Sequence, residues 1–204
     1  MSAPLDPAQL RRALGDCTVG REIVVLEQTT STNDSVLERA SPDVPEGLVV
    51  FAEHQTAGRG QRSNRWESAR RMGLWFSILL RPKIDLAQSP RLTAWAAEIV
   101  AETIRTEFGL SPAIKSPNDI LIDGRKVAGV LVEMRAQANA RHAAIAGIGI
   151  NVNHVREDFS EELQERAISL AMALNREVDR DKLAIALLSN LDRSYPRVAT
   201  VRIG

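Results

Sequence analysis

The sequence predicts an α+β protein in which most strands pair antiparallel, and two observations carry that reading. Asp123-Gly124 stands between two apolar runs, the pattern of a hairpin turn. One long amphipathic helix pattern, Arg91 to Phe108, separates two groups of strand-like runs, whereas a doubly wound parallel sheet would alternate strand and helix throughout.

In chain order, Pro7 to Leu14 reads as a short helix, with Pro4 and Pro7 suited to a helix start and Gly15-Asp16 as the turn after it. Residues 1–20 are expected to form a peripheral segment ahead of one domain over 21–204. Ile23 to Leu26 is a β-rich run. The polar stretch Thr29 to Asp34 leads into a helix over Asp34 to Ala40, for which Ser31 or Thr32 supplies a hydroxyl N-cap. Leu48 to Ala52 is a continuous apolar run of strand length, and it discharges into a loop, Gln55 to Trp66. Leu74 to Leu80 is a second such strand, ended by Arg81-Pro82. In the long helix, Leu92, Trp95, Ala96, Ile99, Val100, Thr103 and Ile104 recur at spacings of three and four, and Gly109 is placed to end it. Further strands are expected at Ala113 to Lys115, Ile120 to Ile122, Val127 to Met134 and Ala144 to Ile150. Phe159 to Leu174 and Asp181 to Tyr195 are helical by pattern.

Composition excludes several classes of function. The 204 residues, 44% apolar and 25% charged, suffice for one sizeable core. Lys plus Arg and Asp plus Glu are 26 each, so no global basic field attracts nucleic acid or an anionic membrane, and a charged ligand must be met locally. Aromatic residues are only 4%, too few for a surface that stacks single-stranded bases. No run approaches the roughly 20 apolar residues that span a bilayer, and the first 20 residues lack a signal-peptide core, so a cytoplasmic protein is expected. Cys17 is the only cysteine and His54, His142 and His154 are scattered, so neither a disulfide framework nor a metal site is expected.

Three segments carry chemistry. Gly58 to Trp66 holds two glycines and the arginines Arg59, Arg62 and Arg65 directly after a strand, which suits backbone approach to an anion gripped by planar donor forks. It lacks the Gly-Lys-Ser/Thr of a Walker loop and the spacing of a dinucleotide fingerprint, and a solvated surface loop has similar composition. The second segment joins Lys115-Ser116-Pro117-Asn118-Asp119 to Arg125-Lys126 and the strand through Glu133. Lys126 at the rim of a sheet either reaches into a site or guards an edge, and Asn118 and Asp119 serve equally as turn residues. The third, Gly147-Ile148-Gly149-Ile150-Asn151, has strand-interior glycines, which mark close backbone approach, a bulge, or tight packing on the long helix.

Taken together and in this order, Thr30-Ser31-Thr32-Asn33, Gln55-Thr56-Ala57-Gly58-Arg59-Gly60 with Arg62 and Trp66, Lys115 with Pro117-Asn118-Asp119, Lys126 with Ala128 to Glu133, and Gly147 to Asn151 resemble the biotin protein ligase family over residues 25 to 175. The resemblance implies a mixed, largely antiparallel sheet flanked by helices, the class II synthetase-like biotin/lipoate ligase fold. It implies ATP and Mg²⁺ as co-substrate and its ion, biotin as substrate, biotinyl-5′-AMP as intermediate, and the biotin carrier domain of a biotin-dependent carboxylase as acceptor. By the same resemblance, Lys126 lies between the biotin carboxylate and the α-phosphate, Arg59 partners it from the loop, and Asp119 is the acidic position beside the incoming lysine. Ser31, Thr32, Asn33, Gln55, Arg59, Gly60, Gln61, Lys126, Gly129 and Gly147 match positions that bind biotin. Arg62, Lys115, Asn118 and Asn151 match the nucleotide side. The chemistry agrees: a carboxylate attacking a phosphate brings two anions together and needs fixed cations, and a reactive acyl-adenylate needs a loop ordered over it.

There are departures. Ser116 stands where the family usually has Trp, Gln61 where many members have Arg, and Ser63-Asn64 where Gly-Arg is frequent. Only 30 residues with one short helix precede Ser31, so no helix-turn-helix and no DNA binding are expected, and the C-terminal SH3-like domain common in the family is expected to be absent. The alternatives are a lipoate or octanoate ligase or transferase and a weakly catalytic biotin-binding module. A homodimer stays open, since Val127 to Val132 could pair with a second copy or be covered within the monomer.

Overall fold

Seven strands form one mixed sheet: β1 Glu22–Leu26, β2 Leu48–Ala52, β3 Gly73–Leu80, β4 Ala113–Lys115, β5 Asp119–Ile122, β6 Arg125–Arg135 and β7 Ala143–Asn151. Their spatial order is β1-β2-β3-β7-β6-β5-β4, with β1 and β2 parallel and every other neighbour antiparallel. The structure, a computed structural model, describes residues 3–61, 64–136 and 142–200. Helices are α1 Pro7–Leu14, α2 Thr32–Arg39, α3 Ser89–Phe108, α4 Leu170–Leu174 and α5 Arg180–Ser194.

The apolar runs of β2 and β3 are continuous because both of their faces are covered. Val49 and Phe51 of β2, Leu74, Phe76, Ile78 and Leu80 of β3, and Ala144, Ala146, Ile148 and Ile150 of β7 enter a large core with α3 and α5. The alternate residues Leu48, Val50, Leu79, Ala143 and Ile145 enter a smaller one with Val36 and Ala40, the residues that α2 and its C-cap contribute. The two-residue strand period thus sends one set to each face. Val127, Ala128 and Val130 of β6 are buried in the large core, so that face of the strand is covered by the chain itself. Beyond Val130, β6 has β7 on one side and, among the described residues, no strand on the other.

Gly109 ends α3 in the left-handed conformation, as expected, and α3 begins at Ser89, two residues before the predicted start. α2 also starts earlier than Asp34, with Ser31 at its N-cap position. The expected helix over Phe159 to Leu174 does not form as such; only α4 is helical there. Residues 166–168 instead run beside the start of β6, with Lys126 N donating to Arg166 O (2.7 Å) and Ile168 N to Lys126 O (3.0 Å). Backbone pairing at the sheet overrides helical periodicity there, and the acidic stretch before it stays in turns.

The N-terminal segment, expected as peripheral, sends Leu5, Leu10 and Val19 into the large core. Asp6 caps α1 by accepting from Ala8 N and Gln9 N. Beneath it, Arg180 and Glu53 form a buried ion pair at 2.7 Å. Leu5 N donates to Glu53 Oε1 (2.7 Å), and Arg180 donates to Ala3 O (2.6 Å) and Gly73 O (3.0 Å), so this pair ties the chain start to β3 and α5.

Candidate active site

On the α2 face of the sheet, β6 and β7 floor a pocket. Gly129 and Leu131 of β6 stand opposite Gly149 and Gly147 of β7, and the start of α2, Gln55 and the Arg59-Gly60 stretch form the walls. Ser31, Thr32, Asn33, Gln55, Arg59, Gly60, Asn118, Lys126, Gly129 and Gly147, all singled out from sequence, line this one pocket.

The glycines make room for side chains of the protein itself. A Cβ on Gly147 would lie 2.2 Å from Asn33 Oδ1, and one on Gly149 would lie 2.7 Å from the Trp66 ring. One on Gly129 would lie 3.0 Å from Trp66 and 3.2 Å from Lys126 Nζ. Packing against α3, the alternative weighed from sequence, is not what these positions do.

The helix start is organised by side chains from elsewhere. Ser31 makes no capping bond through its side chain. Gln55 Oε1 accepts instead from Thr32 N (2.8 Å) and from the Thr32 hydroxyl (3.2 Å), satisfying one of the free amides of α2. The buried Ser77 hydroxyl of β3 is 2.7 Å from Thr32 Oγ1 and 2.5 Å from Asn33 Oδ1. Asn33 Nδ2 donates to Glu133 Oε2 at 2.7 Å.

Lys126 reaches this face through a β-bulge. Leu121 and Ile120 of β5 oppose Lys126 and Ala128, leaving Val127 as an extra residue. The bulge re-aims the lysine, whose ammonium stands 2.6 Å from Asp119 Oδ1 and 5.3 Å from the Trp66 ring centroid, a cation–π contact. Arg59 donates to Asp34 Oδ2 (2.6 Å) and to Glu133 Oε2 (3.0 Å). Its pKa is held above the ordinary arginine value by the Asp34 hydrogen bond first and by Glu133 second. Both cations of the pocket are thus held in ion pairs, Lys126 with Asp119, and Arg59 with Asp34 and Glu133.

Three predicted residues stand elsewhere, and a fourth is not described. Lys115 is exposed on β4, opposite Asp119 in register. Gln61 does not line the pocket; its carbonyl accepts from Asn64 N (3.1 Å). Asn151 is buried, and its Nδ2 donates to Lys126 O (3.3 Å) and Ile168 O (3.2 Å), clipping the bulged end of β6 to the 166–168 segment. Arg62 lies outside the described residues. Among the described residues, no group of three or more His, Cys, Asp or Glu side chains is gathered for a metal.

Residues 25–151 match the model of the Biotin/lipoate A/B protein ligase family. The chain belongs to this family. A bifunctional ligase/repressor BirA from Bacillus spizizenii is 38% identical over 191 residues, 94% of this chain and 59% of that protein. A biotin--[acetyl-CoA-carboxylase] ligase from Mycobacterium tuberculosis is 33% identical over 195 residues, 93% of this chain and 70% of that protein. Among solved structures, the biotin protein ligase from Aquifex aeolicus in complex with biotin and ATP superposes with a TM-score of 0.72 at 30% identity, covering 87% of this chain and 71% of that one. The chain thus spans less than two thirds of the length of the Bacillus relative.

Within this family frame, sequence reasoning missed four residues at the pocket: Trp66, Ser77, Asp34 and Glu133. Trp66 and Glu133 stood inside quoted motifs, but nothing in a linear sequence shows that one ring covers two strand glycines or that one carboxylate meets Asn33 and Arg59. Ser77 did carry a signal, as a hydroxyl in an otherwise apolar strand. No helix among the described residues is long and apolar enough to cross a membrane.

Proposed function

We propose that this chain activates biotin with ATP to biotinyl-5′-AMP and pyrophosphate, and then transfers the biotinyl group to one lysine of the biotin carrier domain of a biotin-dependent carboxylase. The carrying observation is a single pocket that joins neutral donors and acceptors at the start of α2 with two cations, Lys126 and Arg59. A ureido ring calls for the former, and a carboxylate and a phosphate call for the latter. The names of the Bacillus and Mycobacterium relatives and the ligands of the Aquifex structure support this reading.

In the first step a biotin carboxylate oxygen bonds to the α-phosphorus of ATP as the bond to pyrophosphate breaks. Lys126, aimed by its bulge, offsets the charge that builds on the phosphoryl oxygens. As its ammonium turns to the phosphate it leaves Asp119, whose carboxylate is then free to take the proton of the incoming lysine amine. That amine attacks the acyl carbon and AMP leaves. Asn118 flanks the same wall, and Lys115, Arg62 and Gln61 belong to the nucleotide and loop side of the proposal. Mg²⁺ enters with ATP, its oxygen ligands coming mainly from the phosphates. A homodimer through the outer edge of β6 beyond Val130 is part of the proposal, and sedimentation with and without biotin tests it.

Biotin-dependent exchange of labelled pyrophosphate into ATP reads the first step, and label transfer to a carrier domain reads the second. Lys126→Ala is expected to lower exchange by about a hundredfold or more. Exchange that is absent in the wild type, or supported by lipoate instead of biotin, rejects the proposal.

A further inference from the structure

Glu133 lies on β6 two residues beyond Leu131 of the pocket floor, and so on the same face. Its Oε2 accepts from two separate elements, Asn33 Nδ2 at 2.7 Å and Arg59 Nη2 at 3.0 Å. Asn33 is buried, and its Oδ1 meets the Ser77 hydroxyl. An amide whose oxygen faces a hydroxyl donor and whose nitrogen faces a carboxylate has one orientation, because the flipped form would set oxygen against oxygen. Arg59 spans the pocket mouth: its other nitrogen is 2.6 Å from Asp34 on α2.

We propose that Glu133 is a positioning residue that couples the loop to the pocket. One carboxylate oxygen sets the direction in which Asn33 presents its amide to a bound ring, and the same oxygen holds Arg59 above that ring. The identity of the ring rests on the biotin ligase reading; the coupling itself does not. The Arg59–Glu133 pair is partly exposed and is worth little alone. A shared acceptor makes each of its two bonds hold the carboxylate in place for the other.

Two measurements on the full chain decide this. The first is the rate of tryptic cleavage after Arg59 and Arg65 in the ligand-free protein. The second is the pair of biotin KM and kcat values in pyrophosphate exchange, with circular dichroism confirming that each variant is folded. Glu133→Gln keeps an acceptor for Asn33 and removes the charge facing Arg59, whereas Glu133→Ala removes both. Both are expected to speed cleavage about tenfold, while biotin KM rises within about threefold for Glu133→Gln and about tenfold for Glu133→Ala, kcat changing less. Asn33→Ala, which removes no contact of Arg59 itself, is expected to speed cleavage about threefold alone and to add nothing on the Glu133→Ala background. Wild-type cleavage in Glu133→Ala, equal KM values in the two Glu133 variants, or additive effects of Asn33→Ala and Glu133→Ala would each overturn the coupling. A wild type without biotin-dependent exchange rejects the ligase reading, and the cleavage cycle still decides the coupling.

Discussion

Residues in this pocket do two tasks at once, one for a ligand and one for the fold, and the sequence shows only the first. Gln55 is legible as a polar residue suited to a ureido ring, but its use as the cap of α2 is not, because 23 residues separate it from Thr32. The floor glycines are legible as close-approach positions, yet what approaches them here is Asn33 and Trp66. Gly147→Ala would push a methyl into Asn33 Oδ1, and is expected to cost about 1–3 kcal/mol in urea unfolding and to weaken biotin binding. Gly129→Ala is expected to cost less, since its methyl would meet the Trp66 ring at 3.0 Å and the flexible end of Lys126 at 3.1 Å, a milder approach than 2.2 Å. His154 shows a different burden. It is 2% exposed, stacked on Phe159 and without a hydrogen-bond partner at Nδ1. Burial pushes its pKa from 6.5 down to about 4, with Asp158 opposing the shift more weakly. Between these values the unfolded chain binds a proton that the folded one refuses, so stability is full above pH 6.5 and falls as pH drops toward 4. The loss amounts to up to about 3 kcal/mol. His154→Phe should remove this part of the pH dependence of the urea midpoint; an unchanged profile rejects the assignment.

At the scale of elements, most strands were legible because apolar runs bounded by turns have few other readings, and the Asp123-Gly124 hairpin was legible for the same reason. The helix expected over Phe159 to Leu174 was not, since its periodic apolar residues serve a segment that pairs with β6 through Arg166 and Ile168. The bulge at Val127 was equally hidden: its cause is the register of β5, not any residue type. Asn151 joins these two misread features. Its resemblance places it at the nucleotide, whereas its amide nitrogen is spent on the carbonyls of Lys126 and Ile168. Asn151→Ala is therefore expected to cost about 1–3 kcal/mol of stability and to lower kcat through a displaced Lys126, with ATP KM changed less than twofold or thereabouts. A large rise in ATP KM at unchanged stability would restore the nucleotide contact.

For the molecule as a whole, the Glu53–Arg180 pair ties the chain start, the end of β2 and the start of α5 together at almost no exposure. Arg180→Met would leave Glu53 buried without its partner, and a loss of about 3–5 kcal/mol in thermal or urea unfolding is expected. Replacing both residues by apolar ones should recover much of that loss, and failure to do so would mean that packing, not charge, sets the cost. The alternation along β7 has a last consequence. Its even-numbered residues from Ala144 to Ile150 fill the large core, while Gly147 and Gly149 floor the pocket. Slipping this strand by one residue would empty the core and block the pocket together. A molecule that has mispaired cannot pass as a stable but inactive one, so for this chain the count of working pockets is also a count of correctly assembled sheets.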